Sequence, residues 1–202
     1  MRTEDRDLVV QLCTARSGQQ LDPSKDYAIE NREGFDGVSD LIQALRQSRD
    51  DKLAWAIVEA MAAGDTSFFR DRQPFELFRH EIAADLVRQR AGHPVRIWSA
   101  ACATGQEIHS LAMIVDEIGG QWPGARFELF GSDLSERALE KAQSGLYTQF
   151  EVQRGLPIRS LVRHFEKVDD AWHVAPRLRQ AIRWRRVNLL EDMSRERGFD
   201  LI

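Results

Sequence analysis

Apolar positions along this chain change their period near residue 64. Up to Ala63 they recur only at helical spacing: Leu8, Val9 and Leu12, then Val38, Leu41, Ile42 and Leu45, then Leu53, Ile57, Val58 and Met61. Asp22-Pro23 adds an N-cap followed by proline at the first helical position. These stripes are short and need a partner for burial, so residues 1–63 read as a small all-helical domain. Ala62-Ala63-Gly64-Asp65 is a break of small residues and reads as a linker. Pro74 opens a long amphipathic helix through Phe75, Phe78, Ile82 and Leu86, a scaffold element ending at Gly92-His93-Pro94. From Val95 to Cys102 small and apolar residues fall on both faces of any strand, as in a parallel strand covered by helices on both sides. Thr104-Gly105 ends that strand, and Ile108, Leu111, Ala112 and Val115 follow at helical spacing. A second strand is predicted from Arg126 to Gly131 and a helix from near Ser135 to Gly145. Pro157 opens another helix with Leu161, Val162 and Phe165. Two further strands, Trp172-His173-Val174 and Ile182-Arg183-Trp184-Arg185, are joined by a polar turn and Ala175-Pro176. Phe199-Asp200-Leu201-Ile202 reads as the start of another buried strand. Strand, glycine turn and helix make the first unit of a nucleotide-type α/β fold.

The turn after the first strand constrains the ligand. A dinucleotide site needs several glycines so that backbone amides can wrap a pyrophosphate. Here Gly105 stands alone, with Glu107 two positions on. A carboxylate there repels phosphate and suits an ammonium or sulfonium. S-adenosylmethionine carries both and has no phosphate. Thr104 and Glu107 also have capping-box spacing, so a purely structural role for Glu107 has comparable weight. Asp133, at the end of the second strand, is placed where such folds hold a ribose hydroxyl pair. Ser135 can cap the following helix, which would leave Asp133 for the ligand.

Composition narrows the class. The chain has 202 residues, is 43% hydrophobic and 30% charged, and carries a formal net charge of −4. That is an ordinary globular balance with no basic footprint for nucleic acid. No apolar run approaches membrane-spanning length and no secretory signal opens the chain, so a cytoplasmic protein without membrane insertion is expected. Cys13 and Cys102 are far apart, and His80, His93, His109, His164 and His173 are scattered, so no metal site or disulfide framework is expected.

Five motifs in order resemble the CheR-type chemoreceptor glutamate methyltransferases. Thr66-Ser67-Phe68-Phe69-Arg70 resembles the family's Thr-x-Phe-Phe-Arg element, and Arg96 to Glu107 its cofactor loop. Gly131-Ser132-Asp133-Leu134-Ser135, Ser144-Gly145-Leu146-Tyr147 and Val187-Asn188-Leu189-Leu190 follow as they do there. The resemblance implies a Rossmann-like class I methyltransferase sheet with helices on both faces over 64–202. It also implies a small antiparallel β insert at about 165–186. It implies S-adenosylmethionine as methyl donor and S-adenosylhomocysteine as product. Thr66, Arg70, Ala100, Gly105, Glu107, Asp133, Leu134, Asn188 and Leu189 are then expected to bind the cofactor. Glu107 faces the methionine ammonium, Asp133 the ribose and Asn188-Leu189 the adenine side, and Arg70 is the catalytic candidate.

The implied partners are the cytoplasmic helices of methyl-accepting chemotaxis receptors, met by a monomer. The implied reaction is direct displacement of methyl onto a glutamate carboxylate. A carboxylate is ionised at neutral pH and needs no general base. Departures from the family are His109 in place of a usual Tyr, a shorter stretch between Glu30 and Phe35, and no downstream Cys-Arg-Asn or Ile-Tyr-Phe segment. The chain is therefore expected to be C-terminally incomplete. Residues 1–63 hold eight Lys/Arg against twelve Asp/Glu, so no basic docking face is evident there. The Phe165–Trp172 turn lacks glycine and carries Asp169 and Asp170, which speaks against a receptor-tail tether. The competing readings are a non-catalytic cofactor-binding docking module and a nicotinamide oxidoreductase.

Overall fold

The computed structural model describes residues 3–20, 38–47, 51–61 and 64–202. The predicted cap at Asp22-Pro23, the shortened stretch from Glu30 to Phe35 and the Ala62-Ala63 break lie outside them. Two compact units result: residues 1–63 with 188–192, and residues 64–187 with 193–202.

The first unit is helical in its described parts: α1 Thr3–Ser17, α2 Val38–Gln47 and α3 Asp51–Met61. On α1 the fully buried stripe is Asp5, Val9 and Cys13, so Val9 is buried as predicted while Leu8 and Leu12 are half-buried. Burial of Asp5 is tolerated because Arg46 of α2 pairs with it at 3.1 Å. Ile57, Val58 and Met61 of α3 are buried as their spacing predicts.

In the second unit, α4 runs without a break through Gln73–Leu77, a π turn at Phe78–Ile82, and Ala83–Gln89. Next come β1 Val95–Ser99, α5 Gln106–Ile118, β2 Phe127–Asp133, α6 Glu136–Ser144, β3 Leu146–Thr148 and α7 Gln149–Gln153. The unit continues with α8 Ile158–His164, β4 Phe165–Val168, β5 Ala171–Val174, α9 Pro176–Gln180 and β6 Ile182–Arg186. β1, β2 and β6 form a parallel sheet in that order. Leu201 bridges Ile97 in parallel on the other side of β1. The chain thus moves outward from β1 to β6 and then returns to the opposite flank of β1. That reversal is a topological switch point, and ligands in open α/β sheets bind beside it at the carboxyl ends of the strands. Ile97, Ile108, Met113, Ile114 and Leu129 fill the core beneath it.

Two expectations change here. The small antiparallel sheet is β3–β5–β4, so it recruits Leu146–Thr148 and does not extend to residue 186. Ile182–Arg186 pairs with β2 in the main sheet, from Leu129↔Ile182 to Asp133↔Arg186. Its apolar/charged alternation is that of an edge strand with one wet face, which a hairpin strand also shows. Pro157 does cap α8, but Val162 points to solvent and Phe165 already belongs to β4. The β4–β5 turn reaches φ +52° at Asp169, so it attains a left-handed conformation without glycine. Only the charge of Asp169 and Asp170 remains as an argument against an acidic tail peptide.

Two buried histidines are locked neutral. His109 Nε2 lies 3.1 Å from the Ala142 carbonyl, so Nε2 carries the proton, and the buried Nδ1 has no partner. Burial lowers its pKa to about 4. His164 Nδ1 faces the Arg177 guanidinium at 3.2 Å, which can only donate, and its Nε2 faces Glu117 at 3.2 Å. Burial also lowers the His164 pKa. A histidine whose folded pKa lies below its unfolded value stabilises fully above the unfolded pKa and loses that contribution as pH falls towards the folded one. His109 should therefore withdraw about 2 kcal/mol between pH 7 and pH 5. Denaturant titrations at the two pH values should show a smaller loss in His109→Gln than in the wild type. An equal loss would contradict the assignment.

Candidate cofactor site at the carboxyl end of β1

The polypeptide leaving β1 is held by the end of β2. Asp133 accepts from the Ala103 amide with one carboxylate oxygen at 2.8 Å and from the Ser135 amide with the other at 2.9 Å. The Cys102 amide donates to the Ser132 carbonyl at 2.9 Å. Trp98 Nε1 donates to Ser132 Oγ at 2.9 Å, and that hydroxyl donates to the Ala100 carbonyl at 3.0 Å. Ala103 is thereby held at φ +48°, a strained value for a residue with a Cβ. Gly105 follows at φ +93°, where a Cβ would come within 2.7 Å of Ala142. Only glycine fits both constraints. Ser135 caps α6 as expected, accepting from the Ala138 amide. Asp133, however, is not left free by that cap, because it bridges two backbone amides.

The predicted capping box at Thr104 is absent. α5 begins at Gln106 with Gly105 as its N-cap and no side-chain cap bond. Glu107 is therefore one position too early to be the reciprocal partner. Its Oε1 instead accepts from the Ser99 hydroxyl at 2.6 Å, and its other oxygen has no partner among the described residues. The same Thr-x-x-Glu spacing does form a capping box at Thr148 and Glu151 on α7. There burial raises the Glu151 pKa, but the Thr148 hydrogen bonds and Lys141 outweigh it and hold the group below its ordinary value.

Sequence reasoning gave no role to Ser99 and read Tyr147 as packing. Ser99 is a buried hydroxyl ending a mostly apolar strand, which was its one signal. Tyr147 is fully buried against Phe68, with ring centroids 5.0 Å apart, and its hydroxyl also donates to the Thr104 carbonyl at 2.8 Å. It pins the turn from the α6 side.

Thr66 and Arg70 do not share a helical face. The segment is a tight turn with positive φ at Phe69, Asp71 and Arg72. Two adjacent phenylalanines must both be buried, and the turn sends them to different places. Phe68 enters an aromatic cluster with Tyr147 and Phe165, while Phe69 meets Phe75 at 5.4 Å. The Phe69 amide donates to the buried Ser110 hydroxyl at 3.0 Å. Arg70 is exposed and donates to the Asp65 carbonyl at 2.5 Å, not to Asp71 or Glu76. Arg70 and Glu107 line one cavity of about 310 Å³, with Trp98, Phe75, Ile97 and Leu111. Leu134 is half-buried and its carbonyl accepts from Arg186. Asn188 and Leu189 belong to the helical unit, where Asn188 Nδ2 donates to the Arg16 carbonyl at 2.8 Å.

The chemistry of these donors fits a cationic cofactor and not a dinucleotide. The amides of Cys102, Ala103 and Gly105 are consumed inside the protein, and Glu107 sets a negative charge beside the first amides of α5, where a pyrophosphate would bind. The unshared Glu107 oxygen and the remaining lone pairs of Asp133 are acceptors only. Residues 64–202 match the family described as CheR methyltransferase, SAM binding domain. The chain belongs to the CheR methyltransferase family. It is 32% identical over 196 residues to chemotaxis protein methyltransferase 1 of Pseudomonas aeruginosa, covering 92% of this chain and 71% of that relative. A chemotaxis protein methyltransferase of Pseudomonas putida is 30% identical over 198 residues, with the same coverage of 92% and 71%. A 104.1 kDa protein of Rhodobacter capsulatus is 34% identical over 169 residues, which is 81% of this chain but 17% of that protein. Sequences similar to this chain therefore occur in proteins of very different length.

The two acids should separate in their effects. Glu107→Ala should weaken S-adenosylhomocysteine binding by about 1.5–3 kcal/mol with the melting temperature nearly unchanged, because it caps no helix. Asp133→Ala should lower both, because it also releases the Ala103 turn. Calorimetry and thermal melts on both variants check this. Loss of stability without loss of affinity in Glu107→Ala would return that residue to a structural role.

Proposed function

We propose that this protein transfers methyl from S-adenosylmethionine to glutamate carboxylates on the cytoplasmic helices of chemotaxis receptors, acting in the cytoplasm. The observation that supports this most strongly is the Glu107 carboxylate, held by Ser99, lining the same cavity as Arg70. When bound, the cofactor supplies an electrophilic methyl group on a sulfonium centre. Glu107, oriented by Ser99, would hold its ammonium, and Asp133 its ribose. Ala100, Gly105 and Leu134 would line it, with Thr66 alongside.

No group in the site is poised as a nucleophile or base. Burial, reinforced by Asp133 and Glu107, pushes the Cys102 thiol up to about 12. His109 is sealed and neutral. An acceptor that is already anionic needs neither, and glutamate is such an acceptor. The residues then contribute alignment, which can supply about 7–11 kcal/mol in favourable cases. Arg70 is an exposed guanidinium at the cavity edge, suited to orient a carboxylate. Among the described residues no helix is long and apolar enough to cross a membrane.

The direct test uses methyl-labelled S-adenosylmethionine and the cytoplasmic fragment of a chemoreceptor. Label should appear on glutamate as a base-labile ester that releases methanol. Cofactor binding without incorporation would favour a non-catalytic docking module. In the same assay Arg70→Ala should lower turnover by at least about tenfold and cofactor affinity by less than about threefold. Equal losses would make Arg70 a ground-state binding residue.

A further inference from the structure

Residues 1–63 are acidic in composition, and the basic stretch of the sequence lies elsewhere. Residues 154–186 carry nine Lys/Arg against three Asp/Glu, in a chain whose net charge is −4. Several of these arginines are committed within the fold. Arg154 pairs with Asp65 at 3.0 Å, Arg177 with Asp116 at 3.2 Å, and Arg179 donates to the Val174 carbonyl. α8 differs. Its inner side is Ser160, Leu161 and His164, all buried. Its outer side exposes Ile158 at 74% and Val162 at 77%, one helical turn apart. Beside them stand Arg159 and Arg163, again one turn apart and both exposed. Arg159 has no ion-pair partner among the described residues, and Arg163 meets Asp116 only at 3.8 Å. The stripe therefore offers two branched aliphatics and two available guanidiniums on one helical face.

This stripe is fastened at both ends to the turn that carries Arg70. Before α8, Arg154 holds Asp65, whose carbonyl also receives Arg70. The Gly155 backbone lies so close to the Phe68 carbonyl that a Cβ would come within 2.0 Å. After α8, Phe165 meets Phe68 edge-on at 5.6 Å. A partner seated on α8 is thus in register with the Arg70 segment through packed, not flexible, contacts.

We propose that the Ile158–Arg159–Val162–Arg163 face of α8 docks the acidic helix that presents the acceptor glutamate. The proposal rests on the functional reading above. A glutamate-bearing amphipathic helix complements it in both respects: carboxylates for the arginines and an apolar stripe for the aliphatics. Carboxylate–guanidinium contacts at the rim steer encounter and depend on salt.

The test measures methyl incorporation into a chemoreceptor cytoplasmic fragment by the intact protein. Arg159→Glu with Arg163→Glu should raise the acceptor KM at least about tenfold and flatten its salt dependence. Turnover at saturating acceptor and S-adenosylhomocysteine affinity should stay within about twofold of wild type, because neither arginine touches the cofactor site. Ile158→Ser with Val162→Ser should raise the same KM and leave the salt dependence unchanged, and this pair decides the matter if charge reversal disturbs folding. Wild-type incorporation with an unchanged KM in both variants overturns the docking assignment alone. No incorporation by the wild type overturns the functional reading and the docking assignment together.

Discussion

The Asp133 carboxylate between the Ala103 and Ser135 amides is the constraint on which the site depends. It ties the end of β1 to the end of β2 and holds the strained conformation of Ala103 in place. A charge-assisted bond to a backbone amide is among the stronger interactions available to a loop. With the turn fixed, Gly105 is forced into the left-handed region and α5 starts one residue later than its sequence suggests. That single-residue shift frees Glu107 from capping and lets Ser99 orient it. The same arrangement consumes the amides of Cys102, Ala103 and Gly105. Selectivity for a cation over a phosphate then follows from the Glu107 carboxylate that the turn sets at the start of α5.

The turn bearing Arg70 depends on a second set of contacts. Phe68 is clamped by Tyr147, Phe165 and the Gly155 backbone, and Tyr147 also holds the Thr104 carbonyl. One side chain therefore contacts both the cofactor turn and the segment with the candidate catalytic arginine. Edge-on aromatic pairs are worth about 0.5–1.5 kcal/mol beyond burial, and as a packed group they restrict motion more than a single contact would. The positive φ values at Phe69, Asp71 and Arg72 are strain held in place by this packing.

Much of this was legible in the residues. The doubly apolar run of β1 and the helical spacing of α5 each have one physical reading. The failures have local causes. Thr104/Glu107 and Thr148/Glu151 share a spacing, yet only the second caps a helix, because Gly105 resets the start of the first. Thr66 and Arg70 are four apart, a spacing that shares a face on a helix, but burying two consecutive phenylalanines in different places requires a tight turn. Ile182–Arg186 alternates like a hairpin strand because it is an edge of the main sheet among the described residues. Asp133 was read as either a cap or a ligand contact, whereas its two oxygens brace the turn and retain lone pairs for a ligand. Such dual use is invisible to spacing, which assigns one role per residue.

The central claim is that the braced turn selects a phosphate-free cationic cofactor. Calorimetric titration of S-adenosylhomocysteine with and without excess NAD tests it most directly. Saturable one-to-one binding of S-adenosylhomocysteine, unchanged by NAD, is the predicted result. Displacement of S-adenosylhomocysteine by NAD, or tighter binding of NAD, would contradict it.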